Sequence, residues 1–217
     1  MSWSCDAIIF DLDGVLVDSN PIAERHWRGW AARHAVPFER IAAVHQGRPT
    51  IETIRLVAPH LDAETEAGRM EAAEGEDTDG LVVFAGAARL LTGLPRARWA
   101  IATSGTRRTA TTRLTHVGLP VPEVLITADD VARGKPAPDP YLLAAARLGI
   151  VPSWCVVVED APAGIASARA AGARVIGVAA TVSPRALGGA DVVVRRLDDL
   201  GAEPRAGTLI VTWRAAV

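Results

Sequence analysis

Hydrophobic and polar positions follow two different periods along this chain. Ala7-Ile8-Ile9-Phe10 is a continuous apolar run of strand length, as expected for a strand buried on both faces, and it stops abruptly at Asp11 and Asp13, two carboxylates bracketing one leucine. From Pro21 to about Glu76 the spacing becomes helical. Ile22, His26, Trp27, Trp30 and Ala31 recur at i+3 and i+4, Pro49-Thr50 opens another helix and Leu61-Asp62-Ala63 a further one. A stretch of about sixty residues is too long for a structureless loop and suits a four-helix insert. Asp77 to Gly80 reads as the polar return linker.

Beyond it, short β-branched runs alternate with helical stretches. Trp99–Ala102, Glu123–Ile126, Cys155–Val158, Arg174–Val178 and Asp191–Val194 read as strands. Arg107 to His116, Asp139 to Leu148, and Pro162 to Ala171 closed by Gly172, read as helices. Such alternation predicts an α/β fold, a doubly wound parallel sheet covered on both faces, whose ligand lies beyond the carboxyl ends of the strands. The expected organisation is a core domain of residues 1–18 and 81–217 with a small helical cap domain, 19–80, inserted after the first strand. Thr208 to Trp213 reads as an added edge strand. No internal repeat or low-complexity tract is present.

Composition narrows the function classes. With 217 residues, 49% hydrophobic, 22% charged and a net charge of −2, the chain has the makings of one large core plus a smaller domain. The near-neutral balance argues against a nucleic-acid or membrane-surface binder. No apolar run approaches a membrane span, and Met1 to Cys5 lacks signal-peptide character, so a cytoplasmic location is expected. Cys5 and Cys155 each abut an apolar strand and read as small core residues.

The candidate chemistry collects at the strand ends. Asp11 and Asp13 in an Asp-x-Asp-Gly context suit a hard divalent cation bound by oxygen, with one carboxylate free to attack an electrophile; the same composition also suits a surface turn. Thr103-Ser104-Gly105 ends the second strand, Gly134-Lys135-Pro136 lies in a connecting loop, and Glu159-Asp160 ends a run of three valines. Ionised acids at the tip of a buried strand need a partner or a metal. Four acids, a lysine and small hydroxyl and amide donors together describe a place that holds a cation and a phosphate.

These motifs, in this order and spacing, resemble those of the haloacid dehalogenase-like hydrolase superfamily, with its Rossmann-like core. The stretches that carry the resemblance are Asp-Leu-Asp-Gly-Val-Leu-Val-Asp-Ser, Ala-Thr-Ser-Gly-Thr, Gly-Lys-Pro-Ala-Pro-Asp-Pro-Tyr and Val-Val-Glu-Asp-Ala-Pro-Ala-Gly-Ile, and it extends to about Leu200. Asp18-Ser19 followed by Glu24 and Trp27, with His45 and Arg48 in the insert and Trp99 to Arg107, is most similar to the sugar and polyol phosphate phosphatases, including the 2-deoxyglucose-6-phosphate and glycerol-3-phosphate phosphatases. The resemblance implies that Asp11 attacks phosphorus to form an aspartyl phosphate, and that Asp13 protonates the departing oxygen and then deprotonates water. It implies Mg²⁺ held by the Asp11 carboxylate, the Asp13 backbone carbonyl and Asp160. Thr103, the Ser104 and Gly105 amides and Lys135 would bind the transferring group, and Glu159 would orient Lys135 or a water of the metal shell, direct ligation being the alternative.

His45 and Arg48, beside Gly47, are the expected substrate contacts of the insert, with hinges at Asp18-Ser19 and near Gly80. Trp27 and Trp30 read as core rather than as a sugar platform. The expected partner is a small phosphorylated metabolite, with no nucleic acid or membrane, and the expected state a monomer or weak homodimer. The competing readings are a phosphosugar mutase of the β-phosphoglucomutase type, against which the spacing from Asp13 to the first helix of the insert speaks, a phosphoglycolate phosphatase, and a haloacid dehalogenase, whose chemistry requires neither the cation site nor an acid–base at 13. A non-catalytic phosphosugar-binding protein is disfavoured because every catalytic residue type is kept.

Overall fold

The computed structural model describes residues 1–45 and 49–214. In chain order the elements are β1 (Ser2–Cys5), β2 (Ala7–Phe10), β3 (Val17–Asp18), α1 (Asn20–Arg33), α2 (Phe38–Ala42), α3 (Thr50–Val57), α4 (Ala63–Glu76), β4 (Val82–Val83) and α5 (Ala87–Gly93). They continue with β5 (Trp99–Ala102), α6 (Arg107–His116), β6 (Leu125–Ile126), α7 (Asp139–Leu148), β7 (Cys155–Glu159), α8 (Pro162–Ala170), β8 (Arg174–Val178), β9 (Val192–Val194), β10 (Leu200–Arg205) and β11 (Thr208–Trp213). The chain divides into two compact units, Met1–Asp18 with Val82–Val217, and Ser19–Leu81.

The larger unit is built on a six-stranded sheet in the order β6-β5-β2-β7-β8-β9, parallel throughout. The central strands β2, β5 and β7 are buried on both faces, which is why they read as unbroken apolar runs. Ala7, Ile9, Ala100, Ala102, Val157 and Val175 share one core with Tyr141, Ala144 and Ala145 of α7 and Ile165 and Ala168 of α8. Their alternates Ile8, Phe10, Ile101, Val156, Val158 and Ile176 are equally buried. Strand register aligns the carboxyl rim. Phe10 pairs with Ile101 on one side and Val158 on the other, so the next residue of each strand, Asp11, Ala102 and Glu159, emerges at one level of that rim.

Several boundaries differ from the sequence expectation for physical reasons. The strand expected from Glu123 begins only at Leu125, since β6 is an edge strand whose ladder engages Ile101 and Ala102 alone. Asp191 stands outside β9 because its carboxylate accepts the Val175 N–H at 2.8 Å and pairs with Arg169. Thr208–Trp213 is a strand, but a central one: β11 lies between β1 and β10 in a separate antiparallel sheet. Because β1 precedes β2 and the short β3 follows it, the helical insert comes after the third strand of the chain, although after the first strand of the parallel sheet. Pro204 sits on the edge strand β10, where its missing N–H costs no ladder bond. Cys5 and Cys155 are free and buried. Among the described residues no helix is long and apolar enough to cross a membrane.

The smaller unit holds the four helices α1 to α4 around Trp27, Trp30, Ala31, Ile41, Ile54, Val57, Ala67 and Met70. Trp27 and Trp30 meet edge to face, their centroids 5.7 Å apart, and the Trp30 indole N–H donates to Glu66 at 3.1 Å. At the end of α4, Asp77 accepts from Arg25 at 2.7 Å and contacts His26 Nε2 at 2.8 Å, tying the last turn back to α1. The Arg25 hydrogen bond, aided by the Asp79 N–H, holds the Asp77 carboxyl down at about 2. A carboxylate depressed in this way stabilises the fold above its unfolded value near 4 and loses that contribution as pH falls towards 2. Asp77→Asn should therefore lower unfolding stability by about 1 kcal/mol at neutral pH, after allowance for solvent screening. Urea titrations at decreasing pH should show the gap to wild type closing below pH ~4.

Candidate active site

Four loops meet at the carboxyl rim of the sheet. The first leaves β2 at Asp11, whose N–H still donates to Val158 O at 2.9 Å, and then turns back on itself. The Gly14 N–H donates to Val17 O at 2.8 Å, with Gly14 at φ +82°, a conformation that glycine adopts without strain. A side chain at 14 would also overlap the Asp160 carboxylate, so glycine is required twice over.

At the centre lies Lys135. Its Nζ donates to Asp11 Oδ1 at 2.6 Å, to Glu159 Oε1 at 2.7 Å and to Ala102 O at 3.0 Å, with the side chain only 7% exposed. Burial works against its charge, but Asp11 and Glu159 more than offset this and hold its pKa well above the usual lysine value. The Lys135–Pro136 peptide bond is cis. Glu159 accepts four donors: Lys135 and the Tyr141 hydroxyl on Oε1, the latter at 2.9 Å, and the N–H groups of Asp160 and Ala161 on Oε2 at 2.8 and 2.9 Å. Its lone pairs are thus committed, which suits a residue that orients Lys135 more than one that ligates an ion directly. Asp160 is held through Oδ2 by the Thr181 hydroxyl at 2.6 Å.

The acids Asp11, Glu159 and Asp160 bring ligand oxygens within 4.8 Å of one another. Burial, together with repulsion from neighbouring acids, pushes the Asp160 carboxyl up to about 7 and raises that of Asp11 well above its ordinary value. Three acids beside one lysine leave surplus negative charge in a buried place, and that surplus is what a bound divalent cation neutralises. The donor set, all hard oxygen, fits such an ion.

The remaining expected residues take several different positions. Thr103 is buried at the end of β5 and its Oγ1 accepts the Gly105 N–H at 3.1 Å, shaping the loop; Ser104 is exposed and Gly105 half-buried. Asp13, 28% exposed at its side chain, does not join the acidic group but pairs with Arg113 at 2.5 Å. His45 belongs to the helical unit, where it packs beside Trp27 with ring centroids 6.0 Å apart, and burial lowers its pKa. Arg48 lies outside the described residues. Three contributors escaped the sequence reading. Arg113 had a signal: it falls on the inward stripe of α6 with Thr109, Ala110 and Leu114, where an arginine needs a carboxylate. Tyr141 lay within a motif already singled out, but nothing marked its hydroxyl, and nothing in the sequence marked Thr181.

Comparison with known proteins agrees with this arrangement. The family described as haloacid dehalogenase-like hydrolase matches residues 5–172. The chain belongs to that family. Haloacid dehalogenase-like hydrolases generally use a divalent metal, as the acidic group here accommodates. Among relatives of this haloacid dehalogenase-like chain, hexitol phosphatase A of Escherichia coli is 44% identical over 90% of this chain and 93% of its own length. Glycerol-1-phosphate phosphohydrolase 2 of Saccharomyces cerevisiae is 35% identical over 92% and 86%. A hydrolase from Pseudomonas syringae superposes with a TM-score of 0.75 at 30% identity, covering 87% of this chain and 92% of that one.

Gly164, in the first turn of α8, faces Glu159 so closely that a Cβ there would overlap the carboxylate. Gly164→Ala should push Glu159 off its four donors and cost about 1 to 3 kcal/mol, read as a lower melting temperature by circular dichroism. An unchanged melting curve would show that the carboxylate can move aside freely.

Proposed function

We propose that the protein is a Mg²⁺-dependent phosphatase that hydrolyses small sugar or polyol phosphate monoesters through an aspartyl phosphate on Asp11. The observation that carries this reading is Lys135, whose ammonium is shared between Asp11 and Glu159 at the rim where Asp160 also lies. A carboxylate that must receive a phosphoryl dianion needs fixed positive charge beside it, and here the lysine is locked by three acceptors before substrate arrives. The names of the relatives, hexitol phosphatase and glycerol-1-phosphate phosphohydrolase, support the substrate class.

In the first step an Asp11 carboxylate oxygen attacks phosphorus, the bond from phosphorus to the ester oxygen breaks, and Asp13 gives its proton to that oxygen. In the second, Asp13 takes a proton from water as the water oxygen attacks phosphorus, the bond to Asp11 breaks, and inorganic phosphate leaves with the carboxylate restored. Lys135 and the loop of Thr103, Ser104 and Gly105 hold the equatorial oxygens, and Thr103 keeps that loop in shape. Asp11, the Asp13 carbonyl and Asp160 would hold Mg²⁺, which supplies charge neutralisation for the dianion among acids. Glu159 fixes Lys135. The helical insert, with His45 and Arg48, is the part we assign to telling one alcohol from another, since the core residues address only the phosphoryl group. We assign the protein to the cytoplasm, as a monomer or weak homodimer.

The test is a panel of phosphate esters, including hexitol and glycerol phosphates, assayed for inorganic phosphate with and without Mg²⁺. Release should require the ion and fall by about 10³-fold or more in Asp11→Asn, whose amide is a poor nucleophile. Isomerised sugar phosphate without free phosphate would mark a mutase, an activity carried by a more distant relative. A variant that keeps most of the wild-type rate would remove Asp11 from the reaction.

A further inference from the structure

Arg113 is 4% exposed, and its guanidinium reaches Asp13 rather than solvent, Nη1 lying 2.5 Å from Oδ1. A permanent charge on the inward face of a helix is retained at the expense of its hydration, and one contact it makes there is with the residue assigned the proton transfers. The Asp13 backbone is fixed by its bridge to Val17 and by the turn through Gly14, but those contacts leave the side-chain torsions of Asp13 unset. Arg113 sets them by binding one oxygen of the carboxylate.

We propose that Arg113 is the positioning residue for the acid–base function of Asp13: by binding Oδ1 it turns the carboxyl so that Oδ2 is the oxygen that carries the proton to the ester oxygen and later takes one from water. The proposal rests on the phosphatase reading. It divides the work of a single carboxyl between an oxygen that orients and an oxygen that exchanges, and it explains why an arginine occupies a helix face otherwise lined by Thr109, Ala110 and Leu114.

Leaving-group dependence separates this role from a structural one. p-Nitrophenolate departs without a proton whereas an alkoxide does not, and kcat/KM covers the steps up to the first departure, so only the alkyl ester senses the acid. The experiment measures kcat/KM for glycerol phosphate or a hexitol phosphate and for p-nitrophenyl phosphate, with Mg²⁺, in wild type, Arg113→Gln, Arg113→Lys, Asp13→Asn and the Arg113→Gln/Asp13→Asn double variant. Arg113→Gln should lower the alkyl value by about 10²-fold and the aryl value by less than about fivefold, the same disparity that Asp13→Asn shows. Arg113→Lys should recover about tenfold of the alkyl loss by restoring the charge without the fixed fork. The double variant should be no worse on the alkyl ester than Asp13→Asn alone, since in this proposal the effect of the arginine on that ester passes through the acid. Should Arg113→Gln not fold, Arg113→Lys carries the same comparison, with an expected alkyl-over-aryl disparity of about threefold or more. Equal losses on both esters, or an additional loss in the double variant, would overturn the proposal while leaving the phosphatase reading intact. A wild-type protein inert on both esters would overturn that reading and this proposal with it.

Discussion

A buried ammonium shared by two carboxylates is the constraint around which this protein is arranged. Lys135 reaches Asp11, Glu159 and a backbone carbonyl at once. None of these groups could be buried alone without a large desolvation cost, and each is tolerable because the others are present. The three come from different parts of the chain, so the interaction exists only once the sheet has brought β2, β5 and β7 into register and the loop ahead of α7 has delivered the lysine. Folding and the assembly of the candidate catalytic group are in that sense one event, and removal of the lysine would leave two buried carboxylates without their counter-charge.

The architecture serves this requirement directly. A parallel sheet puts the carboxyl ends of all its strands on one rim, and the central position of β2, flanked by β5 and β7, gives Asp11 neighbours on both sides. The small residues are placed with the same economy. Gly14 makes room for Asp160 and Gly164 makes room for Glu159, so two of the acids sit against backbone that carries no side chain. The engagement of the acids is graded: Glu159 accepts four donors, Asp160 accepts from Thr181 through one oxygen, and Asp13 accepts from Arg113 through one oxygen.

Much of this is visible in the sequence because both the sheet and the rim leave local marks. A strand buried on both faces must be apolar throughout, so β2, β5, β7 and β8 are legible, and an acid that abruptly ends such a strand declares itself. The four-helix character of the insert is legible from the spacing of Ile22, Trp27, Trp30 and Ala31 and from the starts at Pro49 and Asp62. The antiparallel sheet is not, because β1 is partly exposed, β10 is largely exposed and carries Gly201 and Pro204, and the strand order depends on pairing across the length of the chain. The partners of the acids are equally hidden. Tyr141 and Thr181 have no local peculiarity, and their hydroxyls matter only through where the sheet carries Glu159 and Asp160. Arg113 is the intermediate case, out of place by helical periodicity yet meaningful only once Asp13 is seen opposite it.

The unequal engagement of Glu159 and Asp160 has an evolutionary consequence. A carboxylate whose lone pairs are all claimed by donors from four directions is frozen, because glutamine would turn an amide N–H towards another donor and aspartate would fall short by a methylene. Asp160, tethered by one hydroxyl, sits in a setting that a single exchange at position 181 could retune. If Asp160 holds the cation as proposed, drift in ion preference among descendants of this chain should accumulate at the tether, while the neighbouring glutamate stays invariant.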